Sequence, residues 1–252
     1  MEAEDWTSAA SDYGGEVLSV YDRDRAGKVR ALIGRYGWPH KSAIDLGCGP
    51  GKFLPLLCER FGAVHACDFS EEMLQAARDR ARRFSNASFE RCDLRRRAPR
   101  TEPADFVLCT NVLLSPTLSA RERMWSNLSA AAKPGGRVAL VVPSLESALF
   151  ARHRLVEWNL RSRVPAKNAL RESFGDEDPD AVSISRGGLM DAGGMTTKHY
   201  LREEIESTAT RFGLALESCE KIEYPWTTEF KRPPRWMRAP YPWDWLALLE
   251  KA

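Results

Sequence analysis

Three glycines, Gly47, Gly49 and Gly51, fall within the run Asp45 to Gly51 (Asp-Leu-Gly-Cys-Gly-Pro-Gly), with a short apolar stretch on either side. Glycine has no Cβ to hold a ligand away from the backbone, and the free N–H groups at the start of a following helix attract polar ligand groups. So many glycines in one turn weaken folding unless the backbone must approach something closely. A further acidic residue, Asp68, ends the next apolar run 21 residues after Gly47. From there a carboxylate can accept both hydroxyls of a ribose across the crevice of an α/β sheet, so a nucleoside-containing cofactor is implied.

The loop narrows the choice of cofactor. A dinucleotide fingerprint needs a small residue at its last position, where this chain has Lys52. Asp45 at the loop entrance suits a cationic ligand better than a pyrophosphate, and no G-x-x-x-x-G-K-[ST] phosphate loop occurs. A proton acceptor is expected at His199, with Tyr200 beside it to orient an acceptor. Both follow the glycine-containing stretch Gly193 to Thr197. A histidine titrates near neutrality and can take a proton if the reaction releases one. His153 is a weaker second candidate, while His65 lies within a strand and His40 before one.

These residues need a frame to hold them. Spacing predicts a helical N-terminal stretch from Trp6 to Gly37, then strands at Ser42–Gly47, Ala63–Asp68, Ser88–Cys92, Asp105–Thr110 and Arg137–Val142. Helices are predicted after the glycine loop, from Ser70 to about Arg83, and from Arg121 to Ala132. Strands alternating with helices mean a parallel, doubly wound sheet with helices on both faces. From Leu145 to Thr196 the alternation breaks in an insertion, and it resumes with a helix from Leu201 to Phe212 and a strand near Leu216–Tyr224. The remaining tail, Pro225 to Ala252, holds four of the eight tryptophans and five of the fifteen prolines.

At this point a resemblance can be stated. Ala43 to Gly51 resembles motif I of the class I S-adenosylmethionine-dependent methyltransferases, and Val64 to Leu74 resembles the family's second motif. Cys92-Asp93-Leu94 is similar to the adenine-binding turn, Asp105 to Val112 to the fourth-strand motif, and Lys133 to Gly136 to the turn before the fifth strand. The resemblance implies a mostly parallel, seven-stranded Rossmann-like sheet in a single domain. Its parts would be a helical lid (1–38), a cofactor-binding core (39–144), a substrate cap inserted after the fifth strand (145–196), and a C-terminal part (197–252).

It further implies S-adenosyl-L-methionine as cofactor. The backbone from Asp45 through Gly47, Cys48, Gly49 and Gly51 would surround the methionine moiety, and Asp68 would bind the ribose. Phe69 and Met73 would flank the adenine, Asp93 would accept its amino group between Cys92 and Leu94, and Thr110, with Asn111 and Val112, would face the methionine amine. Tyr13 would close over the cofactor from the lid. The implied activity is methyl transfer to a small molecule. An RNA methyltransferase and a non-catalytic scaffold that binds the cofactor are the alternatives.

Composition sets limits on these readings. Lys and Arg number 37 against 35 Asp and Glu, giving a net charge of +2, so no overall field dictates a nucleic-acid partner. Local basic clusters at Arg91–Arg100 and Lys231–Arg238 read as solvated surface, and Thr110-Asn-Val-Leu stands where an RNA-modifying Asn/Asp-Pro-Pro-Tyr tetrad would be. Six cysteines without a C-x-x-C pair read as reduced thiols. The acidic run Asp176 to Asp180 lacks the glycine and glutamate of a calcium loop, so no metal is expected. An acidic first segment and no run of 18 apolar residues lead to the expectation of a cytoplasmic chain without a membrane partner.

Overall fold

The computed structural model describes residues 19–174, 187–192 and 195–252. Tyr13, the acidic run Asp176 to Asp180, and Gly193 and Gly194 lie outside the described residues.

The first described elements are α1 (Val20–Arg23) and α2 (Lys28–Tyr36). One continuous helical stretch was the expectation, and the chain breaks here because Gly27 adopts φ 65°. Asp24 covers the break, its Oδ2 accepting the Val29 N–H at 2.9 Å. There follow β1 (Ser42–Leu46), α3 (Leu54–Arg60), β2 (Ala63–Asp68), α4 (Glu71–Ala81), β3 (Ala87–Arg91), β4 (Ala104–Thr110), α5 (Leu118–Ala130) and β5 (Ala132–Pro143). Ser70 begins α4 as an N-cap, its hydroxyl accepting the Met73 N–H at 3.3 Å, with Glu71 and Glu72 in the first turn. The face of α4 that packs inward is Met73, Leu74, Ala77 and Ala81, at helical spacing.

After β5 come α6 (Leu145–Arg161), α7 (Ala166–Phe174), a hairpin of β6 (Leu189–Ala192) and β7 (Met195–Lys198), α8 (Arg202–Arg211), β8 (Leu214–Glu223) and β9 (Trp243–Lys251). Seven strands form one sheet in the order β3-β2-β1-β4-β5-β9-β8. The first five are parallel, and β9 runs antiparallel to β5 and β8 on either side of it. Strand order reverses between β1 and β4, which puts the ligand crevice beyond their carboxyl ends.

Core residues cover both faces of the sheet. Along β4, Phe106 and Leu108 join one cluster with Leu54, Leu57 and Leu74, while Val107 and Cys109 join the other with Trp125 and Leu128. Burial on both faces explains why the central strands read as continuous apolar runs. Strand β9 follows the same rule, since Trp243 to Leu249 is buried throughout. It lay unread within the tail because a short apolar run beside prolines has no period of its own. Lys133 to Gly136, expected as a turn before the fifth strand, falls inside β5, with Gly135 at φ 74° and the ladder to β4 slipping between Ala104 and Phe106. None of the described helices is long and apolar enough to cross a membrane.

Candidate active site

The glycine loop leaves β1 and docks on β2, with the Gly47 and Cys48 N–H groups donating to the Cys67 carbonyl at 2.7 and 2.9 Å. Gly47, Gly49 and Gly51 have φ of 69°, 51° and 73°, the left-handed region that glycine enters without strain. Space matters as well as angle. A Cβ on Gly47 would stand 2.4 Å from Cγ2 of Val112, and one on Gly51 2.9 Å from Cα of Ala77. The loop is therefore pressed against the residues that follow β4 and against α4.

Asp68 ties this cradle together. It is 7% exposed, its Oδ2 accepts the Gly49 N–H at 2.9 Å and its Oδ1 the Ser70 N–H at 3.0 Å. Burial raises it above the ordinary carboxylate range against the pull of these N–H donors. Each oxygen keeps a second lone pair, so two ribose hydroxyls can be accepted without breaking either bond. Asp45, 2% exposed, is pushed up to about 7 by burial and then by the Asp68 charge. A cationic ligand entering beside these two carboxyls would favour their ionised forms.

Across β2, the Cys92 N–H donates to the Asp68 carbonyl at 2.8 Å, placing Cys92, Asp93 and Leu94 on the same rim. Burial opposes ionisation of Asp93, but the Arg95 hydrogen bonds win and hold its carboxyl below the usual range. The Arg95 guanidinium lies 2.9 Å from Asp93 and 6.0 Å from the Phe69 ring centroid. Any adenine contact at Asp93 is thus shared with Arg95. Met73 is buried in the first turn of α4. Thr110 ends β4, and Asn111 follows with φ 55°, its N–H donating to the Val141 carbonyl at 2.9 Å. The residues expected from sequence on the cofactor side, Tyr13 apart, therefore lie at the carboxyl ends of β1, β2, β3 and β4.

His199, expected to take a proton, and Tyr200, expected to orient an acceptor, stand differently. Residues 198–200 lie between the ends of β4 and β5, where the Lys198 N–H donates to the Leu114 carbonyl at 3.0 Å and the Tyr200 N–H to the Pro143 carbonyl at 2.8 Å. Tyr200 is 1% exposed and its hydroxyl donates to the Leu113 carbonyl at 2.7 Å. Its ring meets Trp125 edge to face. Tyr200 is a core residue, and its hydroxyl is already committed to the backbone. Burial lowers His199 to about 4, with Lys198 adding to the effect and a hydrogen bond to the Ser144 backbone opposing it. Its Nδ1 is buried with no partner. His65 bonds Ser88 and Glu90 at the far side of β2.

Two groups that sequence reasoning missed lie at the same carboxyl edge: Asp244, opposite Pro143 at the start of β9, and Tyr224, whose hydroxyl donates to Asp244 Oδ2 at 2.9 Å. The available signal was a lone aspartate between Trp243 and Trp245 in an otherwise apolar run. No group of three or more His, Cys, Asp or Glu among the described residues could hold a metal ion.

Comparison with known proteins agrees with this geometry. Residues 43–136 match a sequence family described as a methyltransferase domain. A trans-aconitate 2-methyltransferase of Variovorax paradoxus is 32% identical over 170 residues, 66% of this chain and 61% of that protein. A dTDP-3-amino-3,6-dideoxy-alpha-D-glucopyranose N,N-dimethyltransferase of Streptomyces fradiae is 34% identical over 80 residues, 28% of this chain and 31% of that protein. The chain thus spans less than two thirds of the length of these curated relatives. Among solved structures, the 1,6-didemethyltoxoflavin-N1-methyltransferase of Burkholderia thailandensis, crystallised with S-adenosylhomocysteine, superposes with a TM-score of 0.63 at 15% identity, covering 99% of this chain and 86% of that one. That likeness extends the agreement in fold over nearly the whole chain, where the sequence matches follow the ordered motifs. In sequence over residues 43–136 and in fold over nearly its whole length, the chain resembles the S-adenosylmethionine-dependent methyltransferases.

Proposed function

We propose that the chain transfers a methyl group from S-adenosylmethionine to a small-molecule acceptor. The observation that carries this reading is the cradle, in which left-handed glycines packed against Val112 and Ala77 are locked to Asp68 through the Gly49 N–H. S-adenosylmethionine supplies its methyl group already activated on a sulfonium, so the protein's main contribution is alignment. In this reading the loop backbone around Cys48 surrounds the methionine moiety, Asp68 accepts the ribose hydroxyls, and Phe69 and Met73 flank the adenine. Asp93, between Cys92 and Leu94, meets the adenine edge together with Arg95, while the Thr110 carbonyl, with Asn111 and Val112, faces the methionine amine beside Asp45. Residues 145–196 act as the cap over the acceptor, and Tyr13 contributes from the lid. His199, neutral at pH 7, serves as a hydrogen-bond acceptor.

A small-molecule acceptor is favoured over RNA by the net charge of +2 and by the state of the basic run, in which Arg95 pairs with Asp93 and Arg97 with Glu90. Arginines engaged in this way release fewer counterions on meeting a phosphate backbone. Both curated relatives are named for small-molecule acceptors. The reading is that of a cytoplasmic enzyme. Its test is incorporation of labelled methyl from S-adenosylmethionine into the low-molecular-weight and RNA fractions of a cell extract. Label in the small molecules is expected. Label confined to RNA, or none in either fraction, would overturn the reading.

A further inference from the structure

Lys52 ends the glycine loop with a charge that the cofactor cradle does not use. It stands just ahead of α3, which begins at Leu54, and the start of a helix carries partial positive charge that disfavours a cation. A lysine in such a place needs a partner. Its ammonium pairs with the Asp22 carboxylate and donates to the Ser19 hydroxyl at 3.0 Å. Both partners belong to α1, Ser19 as its N-cap and Asp22 within its first turn. The Lys52 hydrogen bond holds Asp22 below the ordinary carboxylate range, so the pair is charged at neutral pH.

Apolar contacts run alongside the ion pair. Tyr21 meets Phe53, the residue after Lys52, edge to face at 5.1 Å, and Val20 is buried in one cluster with Phe53 and with Cys48 of the loop. From α4, Arg80 donates to the Pro50 carbonyl at 2.9 Å. The second half of the loop is thus held by α1 and α4, while its first half is bonded to Cys67 and Asp68. Such ties matter most in a glycine-rich loop, because glycine has more backbone freedom to lose than any other residue. In turn α1 has four residues, where a helix alone in water needs about 12–15, so its order depends on what it docks against. Loop and α1 order each other.

We propose that Lys52 is a positioning residue for the cofactor: by fixing the end of the loop to α1, it holds the Gly49–Gly51 backbone in the shape that S-adenosylmethionine meets. The proposal rests on the methyltransferase reading and adds a residue that acts through the loop. The coupling is reciprocal, since a ligand that favours the docked loop must strengthen the docking of α1 by the same factor. A second lysine provides the contrast. Lys28 anchors the start of α2 to β8, its ammonium 2.8 Å from Glu220 and 2.9 Å from the Lys221 carbonyl, so it holds the N-terminal elements to the sheet rather than to the loop.

The test titrates S-adenosylhomocysteine by calorimetry into the full native chain and into Asp22→Ala, Lys52→Ala, the double variant, Lys52→Arg and Lys28→Ala, each shown by circular dichroism to be folded. Asp22→Ala and Lys52→Ala should each weaken binding about three- to fivefold, the range open to a partly exposed ion pair, and the double variant should bind no more weakly than the weaker single one. Lys52→Arg and Lys28→Ala should both bind within about twofold of the native chain. Hydrogen exchange gives a second readout. The Arg23 and Asp24 N–H groups, bonded to the Ser19 and Val20 carbonyls at 3.1 and 2.9 Å, should exchange more slowly once ligand is bound, and Lys52→Ala should abolish that protection. Single variants that bind within about twofold of the native chain, losses that multiply in the double variant, or undiminished protection of α1 by ligand in Lys52→Ala would each overturn the proposal. A loss in Lys28→Ala as large as that in Lys52→Ala would also overturn it, because any anchor of the N-terminal elements would then serve. Failure of S-adenosylhomocysteine to bind the native chain would instead strike the underlying methyltransferase reading.

Discussion

Gly47→Ala tests whether the cradle is built as described. Two separate effects follow from the geometry. The residue holds φ 69°, where a Cβ costs about 1–2 kcal/mol. The new methyl would also stand 2.4 Å from Val112 Cγ2 and 3.3 Å from Cγ1, so Val112 or the loop must move. Overpacking of this kind adds about 1–3 kcal/mol. A total loss of about 2–5 kcal/mol is expected by urea denaturation. Val112→Ala alone removes two methyls and costs about 1–2 kcal/mol at about 0.8 kcal/mol per buried group. In the double variant the clashing atoms are gone, while the backbone strain stays. The two changes should therefore be sub-additive by at least about 1 kcal/mol, a coupling typical of residues in contact. Additivity within about 0.5 kcal/mol would refute the contact between the loop and the chain after β4.

Tyr200→Phe leaves the Leu113 carbonyl without its donor in the core, so it should cost about 1–3 kcal/mol of stability and leave cofactor affinity unchanged by calorimetry. His199→Ala should leave the shape of the kcat/KM profile unchanged between pH 5.5 and 8, because burial keeps that histidine neutral down to about pH 4. Loss of an acidic limb near pH 6.5 in the variant would contradict this. Asp244 is held at about 7 by burial against an ordinary 3.8, so the native state retains a proton that the unfolded chain loses. Its contribution to stability therefore falls as pH rises from about 4 through 7. The penalty reaches at most about 4 kcal/mol, at 1.36 kcal/mol per unit. Asp244→Asn should gain stability relative to the native chain from pH 5 to pH 8 in parallel denaturation series, and a pH-independent difference would refute that assignment.

The order of β1 to β5 and their intervening helices was legible because each central strand is an unbroken apolar run and each helix a periodic one, separated by glycine or a capping serine such as Ser70. The proximity of the glycine loop to Asp68 was legible for a local reason. Asp45, the three glycines and Asp68 lie within one strand, turn, helix and strand, so sequence spacing nearly fixes spatial spacing. Tyr200 was misread because its hydroxyl is satisfied by Leu113, 87 residues earlier, and no local pattern reports such a partner. Asp244 was missed for the complementary reason. Its partner Tyr224 follows β8, 20 residues earlier, and the two meet only when β9 pairs with β8. The break at Gly27 needed the left-handed backbone that a helical periodicity does not show.

The central claim is that Asp68 holds the ribose of S-adenosylmethionine while it secures the glycine loop. Its most direct measurement is calorimetric titration of S-adenosylhomocysteine into the native chain and into Asp68→Ala, with circular dichroism to establish that the variant is folded. Loss of two charge-assisted hydrogen bonds, at about 1.5–3 kcal/mol each, predicts affinity weakened by about 100-fold or more. A folded Asp68→Ala variant that binds within about threefold of the native chain would contradict the account, as would a native chain that does not bind the ligand at all.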